Sequence, residues 1–176
     1  MIVNTENQGA VKNQVELIRK LPDDAIVMLL DGDDSIVSDN TIFAYYNAIY
    51  TEGAEFTYGS CWSMVDNIPL ISQPYPEAVK QQCTYRHYQF NWGLPYTHFR
   101  TFKKYLINEA SDDLFQDSAG NWYKAGGDGS VFYALIEAAD PSKVRCIQDI
   151  TYNYNDCNPL NDYKVNGKEQ NVAAHD

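Results

Sequence analysis

Ala25-Ile26-Val27-Met28-Leu29-Leu30 runs directly into Asp31-Gly32-Asp33-Asp34, and the reading of these ten residues decides the fold. Six consecutive apolar residues, two of them β-branched, predict a strand buried on both faces. In open α/β sheets, ligands collect just beyond the carboxyl ends of such strands. Three carboxylates at that spot repel and raise one another's proton affinity unless a cation or hydrogen-bond donors neutralise them. A divalent metal with oxygen ligands is therefore their natural partner. Gly32 removes a side chain where something must approach the backbone closely.

Upstream of the motif, Val11, Val15, Ile18 and Leu21 recur at helical spacing, Pro22 ends that helix, and Ile2-Val3 reads as the end of a short strand. Downstream, Ser38-Asp39 is expected to cap a helix from Thr41 to Tyr50, and Glu55 to Tyr58 reads as a strand. The stretch from Gly59 to Pro95 carries prolines 69, 74, 76 and 95 and suits a long structured loop over a site. His98 to Leu106 is expected to be helical, and Asp117-Ser118-Ala119-Gly120-Asn121 to turn. Gly126-Gly127-Asp128-Gly129-Ser130 leads into a buried helix, Val131 to Ile136. Val144 to Ile147 and Asp149 to Tyr154 follow as extended segments, and the polar residues beyond Lys164 are expected to fray. This alternation predicts a three-layer α/β domain over residues 1–165, with 166–176 as a tail.

With 176 residues and 44% apolar content, a single core is expected. Twenty-four acidic against thirteen basic residues give a net charge of -11, which argues against nucleic acid or an anionic membrane as partner. The adjacent pair Lys103-Lys104 reads as a solvated helix face. Cysteines 61, 83, 146 and 157 lack CxxC spacing, so reduced thiols are expected rather than a zinc or redox motif. No stretch resembles a signal peptide or a membrane span, and a cytoplasmic setting is expected.

Three chemistries suit the acidic motif. In the first, a carboxylate-held metal grips a nucleotide diphosphate while another carboxylate holds a ribose hydroxyl. In the second, Asp31 attacks a phosphoryl group and Asp33 acts as acid and base, with Ser35 following as a hydroxyl residue. The third, a calcium loop, fails because Ile36 stands where an EF-hand needs Gly and Ile42 where it needs Glu.

The motif and its strand resemble the metal-binding signature of GT-A glycosyltransferases, especially the large family 2 group. Further segments, in the same order, resemble a subgroup found in large viruses and microbes. They are Asn7-Gln8-Gly9-Ala10-Val11-Lys12-Asn13, Thr57-Tyr58-Gly59-Ser60, Thr97-His98-Phe99-Arg100-Thr101-Phe102, and the run from Tyr152 through Asn155, Asn158 and Pro159 to Asp162. The resemblance implies a Rossmann-like GT-A fold, Mn²⁺ or Mg²⁺, a UDP- or GDP-linked sugar donor, and a glycan or other hydroxyl acceptor. It places Asp31 near the ribose, Asp33 on the metal with Asp34 as a further ligand, and Asn7, Gly9 and Lys12 on the donor side. It also implies that Asp128 deprotonates the acceptor in a single inverting displacement.

Each residue also has a plainer reading. Asp128 can be an N-cap. His98 is either a metal ligand or a structural residue beside Phe99 and Phe102. Arg100 suits a diphosphate or Asp128, while Trp62, Trp92 and Tyr96 can stack on a sugar or anchor a loop. Asn155, Asn158 and Asn161 are expected to hold turns around Pro159. Domains of the family begin with a β-α-β unit that has no counterpart upstream of Asn4. The resemblance therefore implies an N-terminally truncated sheet whose edge a second copy or another partner covers. The alternatives are a haloacid-dehalogenase-like phosphatase with Asp31 as nucleophile, and a non-catalytic sugar-binding or assembly module.

Overall fold

The structure, a computed structural model, describes residues 4–37, 41–90, 98–123, 127–159 and 164. The expectations for Ile2-Val3, Ser38-Asp39, Trp92, Tyr96, Asn161 and the tail lie outside those residues. Among the described residues five α-helices and six strands follow one another as α1 (Ala10–Arg19), β1 (Ile26–Leu29), β2 (Ser35–Ile36), α2 (Ile42–Thr51), β3 (Phe56–Ser63), β4 (Ile68–Leu70), α3 (Glu77–Gln81), β5 (Arg100–Lys103), α4 (Leu106–Glu109), α5 (Gly127–Ala138) and β6 (Val144–Tyr154).

One mixed sheet carries the strands in the order β1-β5-β3-β6-β2, with β4 added to the far half of β3. Among the described strands only β3 and β6 pair in parallel. Because β1 and β3 both run antiparallel to β5, the strands β1, β3 and β6 point the same way. Helices lie on both faces. Alternation along the strands sends Val27, Phe56, Tyr58, Phe102 and Val144 into one cluster with α1, α4 and α5, and Cys61, Ile147 and Tyr152 into a second with α2. In the first, Val11, Val15 and Ile18 of α1 are buried at helical spacing. Helix α5 buries six residues in a row, Val131 to Ile136, so it is enclosed on all sides.

The structure corrects several expectations. The run before the acidic motif is an edge strand among the described residues: Val27 is buried, but Ile26 is 37% exposed and Leu30 50% exposed, since no described strand pairs with the outer side of β1. His98 to Leu106 is not one helix. Arg100–Lys103 forms β5, inserted between β1 and β3, and only Leu106–Glu109 is helical. Lys104 is not solvated: it is 4% exposed, with its ammonium 2.6 Å from Asp23. The stretch expected to be a long loop contains most of β3, all of β4 and α3. The two final extended segments are one eleven-residue strand, β6, whose register against β3 shifts around Ser60. There a Cβ on Gly59 would meet the Ile147 carbonyl oxygen at 2.9 Å, so glycine lets the two backbones close. Among the described residues no helix is long and apolar enough to cross a membrane.

Candidate functional site

Helix α1 leads through a short connection to the start of β1, and α5 ends beside the start of β6. Both helices therefore run against β1, β3 and β6, and their N-termini lie at the carboxyl ends of those strands. Asp31 to Asp34 follows β1 at this same end, β6 finishes there, and β5 begins there with Arg100.

The loop after β1 is held mainly from the other end of the chain. Its own closure is the Asp34 N–H to Asp31 carbonyl bond, 3.1 Å. The Tyr152 hydroxyl, on β6, accepts from the Asp31 N–H (3.2 Å) and donates to Asp34 Oδ2 (2.6 Å). The Asn155 N–H donates to Asp34 Oδ1 (2.7 Å), and its side-chain amide donates to the Asp33 carbonyl (3.2 Å). Asn158 donates to the Asp33 carboxylate. Asn155 and Asn158, expected to serve local turns, instead grip the acidic loop. Burial raises the Asp34 pKa above the ordinary aspartate value, against the lowering effect of Tyr152, Asn155 and His98.

His98 is wedged between Tyr152 and Tyr154, with ring centroids 5.0 Å from each. Its Nε2 is buried, has no hydrogen-bond partner among the described residues, and lies 3.6 Å from Asp31 Oδ2. Arg100 is 3% exposed, with Nη2 3.5 Å from the same oxygen. Its burial turns the guanidinium onto Asp31.

Asp31, Asp34 and His98 can each offer one ligand atom within 4.8 Å of the others. A single Mg²⁺ or Mn²⁺ holds ligands at about 2.0–2.2 Å, so donors on opposite sides of one ion stand about 4–4.5 Å apart. The spacing, the mixed oxygen and nitrogen donors and the orphaned Nε2 fit such an ion. Two carboxylates against one guanidinium leave the spot negative while His98 is neutral. Asp33 is directed to Asn158 and is outside this group.

Asn7, Gly9 and Lys12 sit at the N-terminus of α1, where Gly9 takes φ 78 to turn the chain into the helix. The Lys12 ammonium is 2.7 Å from Gln8 Oε1. Asp128 lies in the first turn of α5, at the site end of the domain, and its side chain is outside what the structure describes. Trp62 is half-buried, with Nε1 donating to Asn67 at 3.3 Å. Sequence reasoning missed Tyr152, Asn155 and Asn158 as holders of the motif; the tyrosine and asparagine runs were visible, but nothing local links them to a loop over a hundred residues earlier.

No protein-family model, curated protein or solved structure significantly matches the chain.

Proposed function

We propose that this chain is a metal-assisted glycosyltransferase of GT-A type, moving a sugar from a nucleotide-diphosphate donor to a hydroxyl acceptor by single displacement. The observation that supports it is the convergence of Asp31, Asp34 and His98 within 4.8 Å beyond the carboxyl ends of three co-directional strands. In this reading Asp31, Asp34 and His98 hold Mn²⁺ or Mg²⁺, which when bound neutralises the diphosphate leaving group. Arg100 fixes the Asp31 carboxylate, and Tyr152 keeps the Asp34 carboxylate in place. Asp128, in the first turn of α5, takes the proton from the acceptor hydroxyl as the new glycosidic bond forms and the bond to the diphosphate breaks.

Calorimetric titration of UDP- and GDP-sugars, with and without Mn²⁺, tests the reading. Binding is expected only with the metal, and Asp31→Ala is expected to abolish it. Absence of metal-dependent binding by the native chain would sink the proposal. Asp128→Asn is expected to leave donor binding unchanged while lowering turnover by about 10²- to 10⁴-fold, the usual contribution of a positioned base.

A further inference from the structure

Strand β3 runs past the start of β5, whose register with it covers Phe56 and Thr57, and its far half is flanked by β4 and β6. The end of this projection stands beside the candidate metal site. Ser63, the last residue of β3, pairs with Tyr154, and the Met64 N–H donates to the Tyr154 carbonyl (3.1 Å). The Tyr154 ring in turn stacks on His98, with centroids 5.0 Å apart.

One carboxylate closes the projection. Asp156 accepts from the Ser63 hydroxyl at Oδ2 (2.5 Å) and from the Val65 N–H at Oδ1 (2.7 Å). Ser63 is fully buried, and its Oγ also accepts from the Asp66 N–H (3.2 Å), so one hydroxyl ties the turn of the β3–β4 hairpin to Asp156. The Lys164 ammonium lies 2.6 Å from the Asp156 carbonyl and 3.2 Å from the Asn158 carbonyl, across Cys157. Burial pushes the Asp156 carboxyl up, but the bonds from Ser63 and Val65 outweigh it and hold the group below the ordinary aspartate value. Both bonds are therefore charge-assisted at neutral pH.

Among the described residues no hydrogen bond joins Asp156 itself to the acidic loop, yet the residues on either side of it are bonded there. Asn155 gives its N–H to Asp34 and its amide to the Asp33 carbonyl, and Asn158 gives its amide to the Asp33 carboxylate. Consecutive Cα atoms are about 3.8 Å apart, so pinning Asp156 to the hairpin limits where those donors can stand. We infer that Asp156 is a positioning residue: it anchors the segment after β6 to the β3–β4 hairpin and, through Asn155 and Asn158, sets the place of Asp33 and Asp34. The consequence for a metal rests on the transferase reading, in which Asp34 is a ligand. The coupling between hairpin and loop does not.

Amide hydrogen exchange followed by NMR, without metal, tests the coupling. Asp156→Ala and Ser63→Ala are expected to speed exchange at Asn155 and Asp34 about tenfold or more, the factor that loss of a bond to a charged group carries. Exchange in α5 is expected to stay at the native rate. Asp156→Asn, which keeps one oxygen for Val65, is expected to fall between. Mn²⁺ titration followed by electron paramagnetic resonance is expected to show affinity lowered about tenfold in Asp156→Ala. It is expected to be unchanged in Glu55→Gln, a control that loses the bond to Lys143 at the other end of β3. Native exchange at Asp34 in Asp156→Ala overturns the inference. So does native Mn²⁺ affinity in that variant, or acceleration confined to Val65 and Asp66, which would make the carboxylate a clamp of the hairpin alone. Should Asp156→Ala not fold, Ser63→Ala removes one of the two bonds and gives the same result. Faster exchange at Asp34 in a chain that binds no Mn²⁺ upholds the coupling and sinks the transferase reading, so the two failures are distinct.

Discussion

Tyr152 has the densest set of consequences of any single side chain in the structure. Its hydroxyl receives the Asp31 N–H and donates to Asp34, its ring packs beside His98 and Phe99, and it is fully buried. Tyr152→Phe removes the hydroxyl and keeps the ring, leaving one part-buried N–H and one half-buried carboxylate oxygen short of a partner. Urea unfolding is expected to show a loss of about 1–3 kcal/mol, the cost of an unsatisfied buried group. Mn²⁺ affinity is expected to drop about 10- to 100-fold, as when an outer partner of a metal ligand is removed. A variant as stable as the native chain would mean that the loop does not depend on this hydroxyl. The acidic cluster was legible in the sequence because the strand and its carboxylates are contiguous. Tyr152, Asn155 and Asn158 were not, because their role is fixed only by a partner 118 to 125 residues away.

The elements were readable where local pattern and tertiary position agree. Val11, Val15 and Ile18 marked α1, and the apolar run from Val131 marked α5. Arg100–Lys103 was misread because its neighbours in sequence allow helix or strand, and β1 and β3 decide the matter by pairing on both sides. The junction between α5, β3 and β6 offers a pH test at this scale. Burial pushes Glu55 up, but hydrogen bonds from the Lys143 ammonium, the Asp140 N–H and the Tyr105 hydroxyl outweigh it and hold the carboxyl below the ordinary glutamate value. Lys143 is raised in turn, chiefly by its bond to Glu55. A lowered carboxyl contributes stability above its unfolded pKa and loses it as pH falls through the folded one. A raised ammonium contributes below its unfolded pKa and loses it as pH rises through the folded one. The pair therefore stabilises the fold across neutral pH and fails at both extremes. Glu55→Gln is expected to cost about 1 kcal/mol at neutral pH, with the difference from the native chain vanishing in strong acid. Thermal unfolding at a series of pH values measures it.

For the whole molecule, the outer side of β1, with which no described strand pairs, is the dominant liability. Ile26 is exposed on that edge strand and Leu30 just after it, and Leu17 and Leu21 are exposed on the helix and connection before it. An unpaired edge with apolar neighbours invites a further strand, while the charge of -11 keeps copies apart. Sedimentation equilibrium is expected to show association that strengthens with salt, as screening weakens the repulsion. Ile26→Lys is expected to abolish it without altering the circular dichroism spectrum. The apolar run before the motif signalled a strand correctly but not its place at the rim of the sheet, since strand order is a property of all six strands together. The grip of β6 on the acidic loop also sets an order in time. During synthesis the loop emerges more than a hundred residues ahead of Tyr152, Asn155 and Asn158, so a chain interrupted before β6 displays Asp33 and Asp34 without these three partners. The acidic loop thus acquires its full set of partners only once residues 152 to 158 have been made.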